Sequence, residues 1–437
     1  MNIKENNNKN KLLTKLLILS CFFAPFYSLR ITKLLGFSDV FFTLSDLLFL
    51  FVLYIILINK VTYLKNTSSK KFLLILFLSG YLIILGYLIS GIVSDNPSWN
   101  TITTILQYAF VYIVFPFIFL HCTKYQLNKM VNAYLFGLIV IIAIGSFTMI
   151  FFNSFYLKMA SLGYFIGTDR MGSFLGSNGL SKTIAISIPL LYLCLKESQI
   201  RIHTLYLYIF LFIVGLVLTS SSGGSISSLL AYILLITLST IATKKSSFKL
   251  LFKQIILSGI LVLTIILLIQ IDKSNNLGIT DKYEDRIVDV ILYEDISEVG
   301  SFQSKKSLMI QAWTIVTSSP IIGIGANSFR LTNIYKETVH NIYLGLWVEA
   351  GIIGVIGILL FLLYSFSISI KGLLNKDEKM VRYSLVCLVC TIILSLNYIT
   401  DTSASVRSTL LPIFFCITFL LHQNRECKLN IQGIGDK

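Results

Sequence analysis

A chain of 437 residues that is 55% hydrophobic and only 13% charged, with a mean hydropathy of +0.80, has too little polar surface to enclose a water-soluble fold of its size. Its formal net charge of +15 calls for no nucleic-acid partner, because the basic residues fall between apolar runs, where they report membrane orientation. The composition points to an all-α, polytopic membrane protein lying in a lipid bilayer.

Twelve apolar runs are predicted to span, at 12–29, 40–58, 72–92, 101–120, 130–152, 179–195, 204–220, 224–242, 254–271, 341–364, 382–399 and 407–422. Each approaches the length needed to cross roughly 30 Å of hydrocarbon. The first follows a basic, Asn-rich start like that of a signal peptide, but no small-residue cleavage site comes after it, so a retained span is expected. With the N-terminus inside, the inner connections hold 22 Lys and Arg against six acidic residues. Both termini then come out cytoplasmic. Short connections join most spans into one integral membrane domain, 1–437. No internal repeat is evident, which disfavours transporter folds built from duplicated halves. Asp46, inside the second span, has no evident role.

Two outer segments are long, 152–179 and 272–339. Between them "SSSGGS" (220–225) reads as a tight outer turn. The 272–339 segment holds seven basic and nine acidic residues. Within it "DKYEDRIVDVILYEDISEVG" has helical spacing. "SKKSLMIQAWTIVTSSP" reads as an amphipathic helix with Leu308, Ala312, Ile315 and Val316 on one face, stopped by Pro320. "IIGIGANSF" then turns at its glycines. A loop of this length with helices of its own is usually functional.

"VHNIYLGLWVEAGIIGVIGILLFLLY" (339–364) follows directly. His340 stands at its entrance and Glu349 inside it. Nine residues of regular helix turn about 900°, so Glu349 points away from His340. A hydrogen bond to another helix is the expected role of such a buried acid. Gly351, Gly354 and Gly357 form a small-residue strip suited to close helix packing. The chain has seven cysteines, none in the 272–339 segment. Cys387 and Cys390 make a C-x-x-C inside an apolar span without a His or Cys to complete a metal set. They read as packed thiols, with no metal, cofactor or disulfide framework implied.

The outer surface shows no paired carboxylates beside a nucleophile and no phosphate-cradling glycine loop. It does carry cations just above the membrane: Arg170, Arg286, Lys305, Lys306 and Arg330, closed by His340. A guanidinium grips phosphate oxygens with two donors and an ammonium adds a point charge. Such a set suits a lipid-linked phosphate or pyrophosphate whose tail lies in the bilayer. The same residues also read as ordinary loop charges paired with the nine acids nearby, and His340 as a helix cap. Composition leaves both readings open.

The segments "DRMGSFLGSNGLSKTIAISIPLLY", "LTSSSGGSISSLLAYILL", "SKKSLMIQAWTIVTSSPIIGIGANSF" and "HNIYLGLWVEAGIIGVIGILLFL" occur in an order and spacing that resembles the O-antigen ligase and polymerase superfamily over roughly residues 130–420. The resemblance implies a GT-C-like bundle of about 12 transmembrane helices with one large extracytoplasmic loop, in a bacterial inner membrane. It implies a glycosyltransferase that moves a glycan from undecaprenyl pyrophosphate to an acceptor glycan on the outer face. A chain-length regulator and a flippase are the implied partners. By the resemblance His340 is the motif histidine and Arg286 the early-loop arginine that contacts pyrophosphate; both are expected to be catalytic. Lys305 or Lys306 stands where an arginine often precedes "W..A". The family's "TGSRG" reads "TSSSG" here, with Ser222 at a position often held by an arginine. Arg170 or Arg407, at the mouth of the last span, is expected to replace that charge at the donor pyrophosphate. The departure favours a polymerase of surface polysaccharide over a ligase to lipid A–core, and a non-enzymatic flippase or exporter is the alternative from another class.

Overall fold

The computed structural model describes residues 3–30, 42–58, 67–94, 99–167, 170–197, 201–243, 300–402 and 406–431. Their helices are α1 (Ile3–Phe23), α2 (Leu44–Ile58), α3 (Thr67–Val93), α4 (Trp99–Ala109), α5 (Phe115–Leu120), α6 (Lys124–Phe151), α7 (Asn153–Ser161), α8 (Ser177–Lys196), α9 (Ile202–Thr219), α10 (Ser222–Thr243), α11 (Gly300–Ser318), α12 (Ser328–Thr332), α13 (Ile342–Leu373), α14 (Glu378–Asn397) and α15 (Arg407–Ile431). Among the described residues, extended pairing is limited to one bridge between Arg30 and Thr43. The chain is thus an all-helical, multi-pass membrane protein.

Among the described residues, eight stretches are long and apolar enough to cross a membrane: α3, α4 with α5, α6, α8, α9, α10, α13 and α14. Each overlaps an expected span. The expected run at 254–271 and the helical stretch around Arg286 lie outside the described residues. Three other expected spans differ in extent. The first ends at Phe23 and turns there; the second starts at Leu44 and has 15 residues; the last continues to Ile431 and turns polar over its final ten. That last helix, α15, is buried on every side from Arg407 to Leu421. A helix apolar all round belongs inside a bundle, and α5, α6, α8, α13 and α14 pack around it.

Between α4 and α5 the helix widens into a π turn over Phe110–Val114. Pro116 opens α5; lacking an N–H and crowding the preceding turn, it disrupts the regular ladder there.

The largest departure from regularity is in α13, expected as 341–364 but running to Leu373. Gly351 sits inside it at φ 68°, ψ −174°, a conformation essentially reserved for glycine. The break frees backbone groups, and the preceding loop takes them up. Ile324 N–H donates to the Val348 carbonyl (2.8 Å) and Gly325 N–H to that of Glu349 (3.1 Å), while Ile352 N–H turns to the Pro320 carbonyl (3.2 Å). The Trp347 indole donates to the same Pro320 carbonyl at 2.8 Å. A bare backbone group in hydrocarbon is costly, so an interrupted helix needs such replacements. Gly323 and Gly325, both at positive φ, let the loop come this close: a Cβ on Gly323 would stand 2.6 Å from Gly351 N.

Of the expected glycine strip, Gly354 and Gly357 do pack a helix, while Gly351 breaks one. Gly357 lies against Ser79 of α3, whose hydroxyl donates to the Gly357 carbonyl (2.6 Å), and Gly354 faces Gly86. Glu349 forms the interhelical hydrogen bond its position suggested, accepting from Tyr87 of α3 at 3.2 Å, and the Asn327 amide reaches the same carboxylate. Loop, α3 and α13 are thereby fastened at one point.

Candidate functional site

Charged side chains gather at the two ends of the bundle. At one end lie Arg382 with Glu197 (3.1 Å) and Lys124 with Glu426 (3.3 Å). The opposite end collects the starts of α2, α8, α10, α13 and α15 and the close of α14. This second end carries most of the described residues marked for chemistry in the sequence.

His340 is placed by three neighbouring features. Asn341, extended at φ −161°, caps α13 by accepting from Leu344 N–H, so the cap is asparagine and His340 is not needed for it. Ile342 N–H donates to the Tyr398 carbonyl at 2.8 Å, tying this helix start to the end of α14. Above it lies α11, whose Leu308, Ala312 and Val316 are buried against Phe329, Val339 and Val348, with Ile315 alongside. The expected amphipathic face is therefore the docking face. Lys305 stands three residues before Leu308 and seven before Ala312, at the head of that stripe. Lys306 lies one position round the helix, and both lysines are exposed.

The resulting cluster is compact electrostatically. His340 Nε2 stands 3.9 Å from Glu337 Oε2, with the imidazole about three-quarters covered. Its charged neighbours are Lys305, Glu337, Lys182 and Asp401. Burial, then the charge of Lys305, hold the imidazole below its ordinary pKa near 6.5, with Lys182 acting the same way and Glu337 and Asp401 against it. The ring is thus kept neutral, and able to accept a proton, at neutral pH.

Lys182 and Asp401 escaped the sequence reading. Lys182 comes from the second turn of α8 and is almost wholly covered; its ammonium donates to the Thr400 carbonyl at 2.7 Å and stands 3.7 Å from Asp401 Oδ1. Thr400 and Asp401 follow the end of α14, where exposed carbonyls attract a cation. A lysine in an apolar span was itself a signal, of the kind already noted for Asp46 and Glu349.

The remaining expected residues are placed differently. Arg407 begins α15 in a buried pair with Asp46: Nε to Oδ1 is 3.0 Å and the side chains are 4% and 1% exposed. Asp46 accepts from Thr43 N–H (2.9 Å) through its other oxygen, and Thr43 Oγ1 accepts from Asp46 N–H (3.2 Å), a capping box for α2. The Phe110 ring covers the guanidinium at 5.9 Å. Asp46, left unassigned from sequence, is thus the partner of Arg407. Arg170 opens a buried loop, Met171–Gly176, and its carbonyl accepts from Tyr156 (3.2 Å). Arg330 Nε donates to the Lys336 carbonyl at 3.2 Å. Arg286 lies outside the described residues. Ser222 starts α10 just after a left-handed Ser220.

Among the described residues no group of three His, Cys, Asp or Glu side chains is arranged to hold a metal ion. Cys387 and Cys390 are buried in the core, the latter's thiol directed at the Ile186 carbonyl.

A helical membrane bundle with a largely covered histidine, two lysines and two carboxylates at one mouth defines the class: a multi-pass membrane protein with a polar site at the end of its helices. Residues 207–359, a little over a third of the chain, match a family model described as O-Antigen ligase, so this part of the chain is similar to that family. The matched stretch contains Arg286, Lys305, Lys306, His340, Glu349 and the Gly351 break; Lys182, Asp401 and Arg407 lie beyond it. No curated protein matches the chain.

Proposed function

We propose that the protein is a glycosyltransferase that polymerises undecaprenyl-pyrophosphate-linked repeat units into a surface polysaccharide on the outer face of the bacterial inner membrane. The observation that carries the reading is the His340 cluster: a neutral imidazole beside Lys305 and Lys182, at the bundle end that the charge distribution of the sequence assigns to the outside. Transfer forms a bond between the acceptor hydroxyl oxygen and the donor's anomeric carbon and breaks the bond from that carbon to the pyrophosphate oxygen. The hydroxyl proton passes to a ring nitrogen of His340 as general base. The negative charge that develops on the leaving pyrophosphate is met by cations, without need of further proton transfer. Lys305, the loop lysine whose charge acts on His340, takes this role in the reading, and Arg286 joins it as the expected second cation. Arg407, already satisfied by Asp46, serves the fold in this reading.

The ligase reading shares the donor chemistry and differs in the acceptor, lipid A–core. The flippase reading would favour polar groups along a midplane path, whereas the cluster lies at the mouth. The deciding experiment compares surface and lipid-linked glycans from a deletion strain carrying empty vector, wild type or His340→Ala at equal protein level. A wild-type ladder that collapses to single repeats in the variant is the expected result. Long lipid-linked chains accumulating untransferred would identify a ligase, and single units trapped on the cytoplasmic face a flippase. Full transfer by His340→Ala would remove the base from the mechanism.

A further inference from the structure

Lys182 has features that a purely structural lysine does not need. Its side chain is 4% exposed, yet its carboxylate neighbour is 3.7 Å away, beyond hydrogen-bond length, and its one short bond goes to a neutral carbonyl. An ammonium has three donors, and a covered charge ordinarily requires fuller compensation than this. The same carboxylate, Asp401, also faces His340, and Lys305 faces both Lys182 and His340. Two lysines and an imidazole thus converge on two carboxylates, Asp401 and Glu337, of which Glu337 is more than half exposed. Of the three donors of the Lys182 ammonium, one makes the short bond to the Thr400 carbonyl, which leaves Lys182 able to donate to an anion.

The position of Lys182 adds a second argument. One residue earlier, Ser181 packs against Gly224 so closely that any side chain at 224 would collide with it, and Ser221 donates to Asn178 Oδ1 at 3.3 Å. The first turns of α8 and the Ser220–Gly224 segment, which leads into α10, therefore pack as one unit. This segment has no Lys or Arg of its own, and Lys182 follows directly on Ser181, the residue that meets it.

We propose that Lys182 binds the pyrophosphate of a polyprenyl-linked donor, giving up its contact with Asp401 for a phosphate oxygen when the donor arrives. The proposal rests on the functional reading above for the donor's identity. Asp401 then holds the ammonium in place between turnovers and competes with the donor for it.

The test measures binding of geranylgeranyl pyrophosphate to the purified full-length protein in lipid nanodiscs, at fixed temperature, for wild type, Lys182→Met, Lys182→Arg and Asp401→Asn. Loss of one charge-assisted phosphate contact should weaken binding of Lys182→Met by roughly tenfold to a hundredfold. Lys182→Arg should stay within a few-fold of wild type, and Asp401→Asn should bind tighter. If Lys182 only caps the end of α14, Lys182→Met melts earlier but binds with wild-type affinity, which overturns the proposal. Should Lys182→Met fail to fold, the other two variants decide: unchanged affinity in Asp401→Asn, or lost affinity in a well-folded Lys182→Arg, counts against it. Glycan transfer in cells separates this from the functional reading. Binding that depends on Lys182 in a protein that transfers no glycan keeps the site and discards the transferase; transfer with Lys182-independent binding does the reverse.

Discussion

Two cation–carboxylate pairs stand at the same end of the bundle, and they differ in how completely they are satisfied. Arg407 and Asp46 meet at 3.0 Å, are sealed from solvent, and Asp46 is held by the cap of its own helix. Lys182 and Asp401 stand 3.7 Å apart beside an imidazole, and the carboxylate is 19% exposed. The first pair has its charges matched within the protein and fixes where α2 and α15 begin. The second retains donor capacity and faces His340. Charge in an apolar bundle is therefore no indication of chemistry until its partners are counted.

The largest expected effect is at the second region: His340→Ala should lower glycan transfer by about 10²–10⁴-fold at unchanged protein level, read from ladder length. At the first region, Asp46→Ala should cost about 3–5 kcal/mol by leaving Arg407 buried alone. It should appear as lost membrane-inserted protein, with the double variant Asp46→Leu, Arg407→Met recovering much of it. Inactive but fully stable Asp46→Ala protein would blur the distinction between the two pairs. Gly351→Ala should destabilise by about 1–3 kcal/mol, because the residue must leave a glycine conformation and its methyl meets the Ile321 carbonyl. Thermal unfolding in detergent checks it. Tyr87→Phe, which removes one bond to Glu349, should cost about 1 kcal/mol and spare transfer.

The smallest effect sharpens the comparison by pH. Transfer needs neutral His340, whose pKa is held below the usual 6.5, so the acid limb of the wild-type rate should lie below that value. Removing Lys305 as Lys305→Met takes away a charge that disfavours protonation, so the limb should move upward. Asp401→Asn removes a charge that favours it, so the limb should move down. A profile unmoved by both would mean that the rate does not report His340.

Much of the fold was legible because apolar length and helix period are local properties. The eight membrane-length helices and the buried face of α11 follow from them directly. What was not legible depends on distant partners. Nothing near Asp46 announces Arg407, 361 positions on, and Gly351 reads as a packing residue until the loop at 320–325 is laid against it. The position of His340 at the entrance to α13 was legible from its place after the loop. Lys182 was overlooked because its flanks, "SNGLSK", read as the polar start of a span, and the carbonyl that holds it belongs to another helix.

The break in α13 also sets a depth. From Gly351 to Lys371 is 20 residues, which at 1.5 Å each is about 30 Å, the thickness of the hydrocarbon layer. Length alone therefore leaves the ten residues from Asn341 to Ala350 as surplus to a crossing, available to the zone of lipid headgroups. A polyprenyl lipid carries its own phosphates in this zone, so a donor reaching His340 sideways through the bilayer would meet the site at its natural level. It would not have to be lifted out of the membrane or drawn down into it.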